Sequence, residues 1–273
     1  MTQVIIFSDL DGTLLHSKTY SFDAARPALD LIRRKNIPLI LCSSKTRAEM
    51  EGYRKRLDNE HPFVSENGGG IFIPKGYFES VGSAVPTISY DEYETIVIGS
   101  PYQEIRKTFL ELKLELNAKV KGFGDMTERE VAAISGLTEE EATLAKRRDF
   151  GEPFIFEGVT DDRFLKAIEE RGLHWTQGRF FHIMGENDKG KAVKLLKHLY
   201  GKAVGEVITI GLGDGFNDLP MLKEVDHPVL IPKEDGSYDS RVDLPNLTKA
   251  KRIGPSGWNE EVLLAIKELT TSR

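Results

Sequence analysis

The sequence predicts an α/β fold: a parallel-sheet core interrupted by an inserted α+β unit. Three observations lead there. Wholly apolar runs alternate with helix-period segments through residues 4–74, the order becomes irregular in the middle of the chain, and the first pattern returns after Asp188. A strand covered by helices on both faces reads as a continuous apolar run. Regular alternation of strand and helix is the mark of a parallel sheet. The simplest organisation is a core domain, residues 1–83 and 188–273, with an inserted domain at 84–187.

Residues 4–7 (VIIF) form the first apolar run, and residues 24–34 place Ala24, Ala28, Leu31 and Ile32 on one helical stripe, with Pro27 near the first turn where it is tolerated. Residues 37–41 form a second strand, and Thr46 followed by Glu49 reads as a capping box opening a helix. Phe63 and Val64 lead into the turn-rich "SENGGGIFIP", which bends into a hairpin. In the irregular middle, Ser100 as an N-cap and Pro101 in the first turn open a helix running to about residue 116. Thr127 and Thr138, each with glutamate three residues on, open two more. Short strands follow at 154–156, 173–176 and 180–184, with a helix at 161–171 stopped by Gly172. The core pattern then resumes with a helix from Lys191, strands at 207–210 and 229–231, and between them the loop "GLGDGFNDLP".

At 273 residues and 40% hydrophobic content the chain can bury a large core. A formal net charge of −6 argues against a nucleic-acid binder. The single cysteine, Cys42, excludes an internal disulfide and a cysteine zinc site, and at the end of an apolar strand it reads as a small buried hydrophobe. There is no apolar run of membrane-spanning length and no signal-peptide pattern, so the expectation is a cytoplasmic protein without a membrane partner. Trp175 and Trp258 read as packing residues.

Four segments carry the chemistry: Asp9-Leu10-Asp11-Gly12-Thr13, Ser43-Ser44-Lys45, Lys189, and the loop from Gly213 to Asp218. Ligand sites in open parallel sheets gather at the carboxyl ends of strands, so these loops are expected to converge. Asp9, Asp11, Asp214 and Asp218 cannot all stay ionised in one crevice without a cation, and an all-oxygen site suits Mg²⁺.

These segments, in this order, resemble the four signature motifs of the haloacid dehalogenase superfamily of phosphohydrolases. The stretches "LCSSKTRAEM", "SENGGGIFIP", "GRFFHIMG", "GLGDGFNDLPML" and "GPSGW" further resemble the bacterial branch of the mannosyl-3-phosphoglycerate phosphatase family. That resemblance implies a Rossmann-like parallel-sheet core with an inserted α+β type-two cap domain. It implies Asp9 as nucleophile, Asp11 as general acid and base, Ser43 and Lys189 as partners of the phosphoryl group, and Mg²⁺ held by Asp9, Asp11 (through its backbone carbonyl) and Asp214, with Asp218 behind them. The implied reaction converts mannosyl-3-phosphoglycerate to mannosylglycerate, a compatible solute. Glucosyl-3-phosphoglycerate or another hexose phosphate as substrate, a phosphomutase reaction and a phospho-ligand sensor without turnover stand as alternatives.

For the phosphorylated-sugar substrate, Arg148 in "KRRDFGEPF" is expected to clamp the glycerate carboxylate and Glu152 to accept from sugar hydroxyls. Arg179 and His182 are three apart on an expected strand and should face opposite ways. Arg179 is taken as the substrate contact and His182 as a structural histidine. Ser44, Lys45, Asn67, Gly68 and Asn217 complete the expected substrate-binding set.

Overall fold

The computed structural model describes residues 2–79 and 87–271. In chain order the first elements are β1 (Gln3–Ser8), α1 (Arg26–Arg34), β2 (Leu39–Cys42), α2 (Arg47–Leu57), β3 (Phe63–Ser65), β4 (Gly70–Pro74), β5 (Ile88–Tyr90) and β6 (Tyr93–Val97). Then come α3 (Tyr102–Glu115), β7 (Val120–Gly122), α4 (Glu128–Ser135), α5 (Glu139–Ala145), β8 (Gly151–Phe156), α6 (Asp162–Glu170), β9 (His174–Gln177) and β10 (Phe181–Met184). The chain closes with α7 (Lys189–Val204), β11 (Val207–Gly213), α8 (Leu219–Glu224), β12 (His227–Leu230), β13 (Thr248–Lys249) and α9 (Gly254–Thr271).

Two sheets result. The larger has the order β13-β12-β11-β1-β2-β3-β4-β6-β5, parallel from β13 to β3 and antiparallel beyond it. Its apolar runs alternate between two cores. Ile6, Leu39 and Leu41 pack with residues of α1, α2 and α9, while Ile5, Phe7, Ile40 and Cys42 pack with residues of α7 and α8. Burial on both faces is the reason residues 4–7 of β1 and all of β2 carry no polar side chain. Cys42 is fully buried, and burial pushes its thiol far above the usual range, as expected of a packing residue.

The smaller sheet, β7-β8-β10-β9, is antiparallel throughout. One face packs on α3 and α6 around Phe109, Phe154, Phe164 and Ile183. On the other, Ile155 and Phe180 pack against Phe123, Met126 and residues of α4 and α5. The capping boxes at Thr46, Thr127 and Thr138 are formed. Pro101, and not Ser100, takes the N-cap position of α3. The helix expected from Lys191 starts at Lys189, capped by the side chain of Asp188.

The expected boundary at residues 83 and 84 lies outside the described residues. Within the expected insertion, β5 and β6 pair with the large sheet through β4, so that range includes part of the core sheet. We therefore propose Gly99–Ser100 and Gly185–Asn187 as the junctions; a Cβ on Gly185 would collide with Ser100, so the two crossings run side by side.

Gly68 sits at φ +91°, and a Cβ there would collide with the carbonyl of Asp188, just before α7. Gly68→Ala is expected to destabilise the protein by about 2 kcal/mol or more, read as a lowered midpoint in urea unfolding.

Candidate active site

The loops after β1, β2 and β11 and the start of α7 meet at the carboxyl edge of the large sheet. Asp9 follows β1 directly, its N–H donating to Leu212 at 2.9 Å. Ser8 turns inward, where its hydroxyl accepts from Trp258 Nε1 at 3.0 Å and donates to the carbonyl of Asp9 at 2.7 Å. The indole is fully buried, so Trp258 fastens α9 beneath the strand that presents Asp9. Gly12 adopts φ +79°, and a Cβ there would come within 2.5 Å of Asp214 Oδ2. The glycine of the Asp-x-Asp-Gly turn is what lets the two acid loops approach.

Lys189 is completely buried at the first turn of α7 and donates to Asp9 Oδ1 and Asp218 Oδ1, both at 2.6 Å. The other oxygen of Asp218 accepts from the N–H groups of Asp214 and Gly215 at 2.9 and 3.0 Å. Both of its oxygens are thus engaged, which fits a supporting role. Carboxylate oxygens of Asp9, Asp214 and Asp218 lie within 4.8 Å of one another. Three acids face one ammonium, and the electrostatics register the imbalance. Burial first, then Asp218, raises the Asp9 carboxyl to about 7, against the pull of Lys189. Asp214 is raised well above the usual range by burial, Asp218 and Asp9. Asp11 adds a buried Oδ1 with no hydrogen-bond partner in the structure. A cluster of hard oxygen donors with surplus negative charge fits a divalent cation.

A cavity of about 500 Å³ opens between the two sheets' domains above this centre. Asp9, Asp11, Ser44, Lys45, Asp214 and Asn217 line it from the core, and Arg148, Arg179, Phe180 and His182 from the inserted unit. Lys45 is no surface lysine: it is 5% exposed, and its Nζ lies 2.9 Å from Asp11 Oδ2. Ser43 is buried below the floor, its hydroxyl accepting from the N–H of Lys45 at 3.2 Å. Asn67 and Gly68 do not line the cavity. Asn67 takes the left-handed conformation, and its side-chain oxygen accepts from Asn217 at 3.4 Å.

Three expectations for the inserted unit are corrected. Glu152 does not face the cavity: it is fully buried, held by Tyr102 (2.8 Å), Arg106 (3.1 Å) and the N–H of Gly124 (2.8 Å). Strand alternation is the reason. Glu152 pairs with Ile183, on the face packed against α3 and α6, whereas Pro153 pairs with His182, and those two line the cavity. Arg148 is not a free clamp. Its Nη2 pairs with buried Glu66 at 3.0 Å, Nη1 and Nη2 both donate to the Ser44 carbonyl at 3.2 Å, and Nε donates to Gly151 at 3.0 Å. Glu66 also accepts from the N–H groups of Asp149 and Phe150, at 2.8 and 3.1 Å, so the pair bolts the inserted unit to the core. Finally, Arg179 and His182 both line the cavity, because Arg179 lies in the turn before β10 and not on the strand.

Sequence reasoning missed Glu66 and Tyr20. Glu66 lies in a turn-rich stretch and pairs across 82 positions, so no local pattern marks it. Tyr20 bridges the units from the loop after β1: its hydroxyl donates to the Ser135 carbonyl at 3.0 Å and accepts from Arg179 at 3.2 Å. Trp175 packs beside Phe181 and Phe216, as expected of a packing residue.

Burial, with Arg148 and Lys189 nearby, depresses His182 to about 3 from an ordinary 6.5. The unfolded chain therefore binds a proton below about pH 6.5 that the folded protein refuses until about pH 3. The contribution is fully present above pH 6.5 and is lost as pH falls through that window. His182→Gln is expected to flatten the decline of unfolding free energy between pH 6.5 and 4, by up to about 1.4 kcal/mol per pH unit. Urea titrations of both proteins across that range check it.

A family model for haloacid dehalogenase-like hydrolases matches residues 6–84 and 156–233. The glucosyl-3-phosphoglycerate/mannosyl-3-phosphoglycerate phosphatase of Methanococcoides burtonii is 47% identical, covering 95% of this chain and 96% of its own. The protein of the same name from Persephonella marina is 45% identical over 97% and 98%. The mannosyl-3-phosphoglycerate phosphatase of Pyrococcus furiosus is 38% identical over 83% and 90%. Among solved structures, a Thermoplasma acidophilum protein superposes with a TM-score of 0.69 at 16% identity, over 97% of this chain and 98% of that one, which speaks to the fold alone. The chain belongs to the haloacid dehalogenase-like hydrolases and, within them, to the mannosyl-3-phosphoglycerate phosphatase family.

Proposed function

We propose that this protein is a Mg²⁺-dependent phosphatase that converts mannosyl-3-phosphoglycerate to mannosylglycerate and phosphate. The glucosyl compound is a second substrate in this reading, because the two relatives at 47% and 45% identity carry both names. The observation that carries the chemistry is the pairing of Lys189 with one oxygen of Asp9 at 2.6 Å on the floor of the cavity, which orients the other oxygen for attack.

In the first step Asp9 attacks phosphorus, the bond to the C3 oxygen of the glycerate breaks, and Asp11 gives that oxygen its proton. In the second, Asp11 takes a proton from a water that attacks the aspartyl-phosphate, freeing Asp9 and releasing phosphate. Phosphoryl transfer is governed by in-line positioning and by donors around the equatorial oxygens. Lys189 supplies such a donor, and Ser43 steadies the loop of Ser44 and Lys45, its hydroxyl accepting from the Lys45 N–H. Asp9, Asp214 and the Asp11 carbonyl would hold the metal, with Asp218 fixing the loop of Asp214. When bound, Mg²⁺ neutralises the charge that otherwise keeps a carboxylate and a phosphate apart.

The test is phosphate release from the mannosyl and glucosyl substrates, with Mg²⁺, with EDTA, and with Asp9→Asn. Release that needs Mg²⁺ and falls about 10³-fold or more in the variant is expected. A phosphomutase would return the phosphoryl group to the substrate, and a sensor would release none. No release from either sugar, while an aryl phosphate is still hydrolysed, overturns the substrate.

Because Arg148 holds the two units together, Arg148→Ala is expected to lower turnover of the sugar substrate and of an aryl phosphate by the same factor. It is also expected to cost about 3–5 kcal/mol of stability, since it strands buried Glu66. Parallel steady-state kinetics and denaturant unfolding read both effects.

A further inference from the structure

The mechanism uses Lys189 but leaves a second buried ammonium, Lys45, without a task. Its Nζ is 2.9 Å from Asp11 Oδ2, while Glu49 Oε1 at 3.8 Å is beyond hydrogen-bond reach. An ammonium carries three donors. Two tyrosine rings flank this one, Tyr53 with its centroid 5.3 Å from Nζ and Tyr20 at 5.0 Å. Tyr20 also receives Arg179, whose Nη1 donates to its hydroxyl at 3.2 Å and whose Nη2 donates to the Ile134 carbonyl at 3.1 Å. Its guanidinium carbon lies 5.6 Å from the Phe180 ring centroid, its remaining N–H donors have no hydrogen-bond partner among the described residues, and Arg179 is exposed on the cavity wall. A core cation and a cation of the inserted unit therefore meet on one tyrosine, on the wall of the cavity next to the proton-transfer group.

We propose that Lys45 and Arg179, gathered by Tyr20, form a carboxylate subsite that selects phosphomonoesters bearing a carboxylate close to the phosphorylated carbon. The inference deepens the substrate reading above and rests on it for the natural ligand. Asp11 is the group that protonates the oxygen on C3, so a cation touching Asp11 stands beside that oxygen. In a 3-phosphoglycerate the carboxylate is two carbons from C3, within reach of the same ammonium. Arg148, the expected clamp, has its donors committed to Glu66, Ser44 and Gly151. An ammonium and a guanidinium converging on one anion form charge-assisted hydrogen bonds, and these distinguish a carboxylate from the hydroxymethyl group of a neutral analogue.

The experiment measures competition against hydrolysis of an aryl phosphate by the full-length protein with Mg²⁺. The competitors are 3-phosphoglycerate and glycerol 3-phosphate, which differ in the carboxylate and lack the sugar. The parent is expected to bind 3-phosphoglycerate roughly 10- to 150-fold more tightly, the range for hydrogen bonds to charged groups. Lys45→Met and, separately, Arg179→Gln should each bring the two inhibition constants together by about tenfold or more; Lys45→Arg should restore part of the difference. The Arg179 variant changes an exposed side chain, so it reports even where the buried lysine cannot be replaced without unfolding. Equal inhibition constants in the parent overturn the subsite. So does an unchanged ratio in both variants, which leaves Lys45 as a positioning residue for Asp11. A parent that prefers 3-phosphoglycerate yet releases no phosphate from mannosyl-3-phosphoglycerate supports the subsite and removes the sugar assignment.

Discussion

The buried ammonium of Lys189 sets the terms for the rest of the site. Placed between Asp9 and Asp218, it is what permits a carboxylate at the end of β1 with almost no solvent. One positive charge among three acids leaves the crevice short of cation, and the raised titrations of Asp9 and Asp214 express that shortage. A buried charge persists only when paired and hydrogen-bonded. Lys189 can stand at the first turn of α7 because the preceding backbone is fixed: Asp188 caps the helix, and Gly68 leaves room for the Asp188 carbonyl. Charge balance and chain geometry are thus one problem with one solution.

A second buried pair, Arg148 with Glu66, performs a mechanical task with the same chemistry. Arg148 spans from the inserted unit to the carbonyl of Ser44, which lies in the loop that presents Lys45, while Glu66 gathers two backbone N–H groups from the segment after Arg148. Thr46 adds a hydroxyl bond to the Leu144 carbonyl at 2.9 Å, and Tyr20 one to Ser135. The inserted unit therefore meets the core through groups in and beside the loop after β2 that carries Ser44 and Lys45. Its placement and the geometry of that loop cannot vary independently.

Much of the core was legible in the sequence because its information is local. Apolar runs give the strands, and Asp-x-Asp-Gly-Thr, Ser-Ser-Lys and Gly-Asp-x-x-Asn-Asp each sit within a few residues of a strand end. What failed depended on register or on distant partners. Glu152 and Pro153 are adjacent, and only the pairing of β8 with β10 decides which of them meets the cavity. Arg179 and His182 appeared opposed because both were taken to lie on one strand, whereas the strand begins at Phe181 and Arg179 lies in the turn before it. Glu66 and Tyr20 act through contacts 82 and 115 or more positions away, where neither periodicity nor capping leaves a trace. The hairpin β5–β6 joined the core sheet for a similar reason, since its pairing with β4 is a tertiary choice.

The seat of Asp9 has a consequence for how the molecule is made. β1 lies between β2 and β11, whose first residue is 207, and the side chain that anchors Ser8 belongs to Trp258, 250 positions downstream. Pairings of such sequence separation carry a large loop-closure cost and slow folding. On a ribosome β1 emerges well before β11, which begins at Val207, and must wait for it with one apolar edge unpaired. Such edges are where nascent chains aggregate. The inserted unit, whose strands β7–β10 pair only among themselves, emerges within that interval, so its sheet can form before β11 completes the edge beneath the cavity.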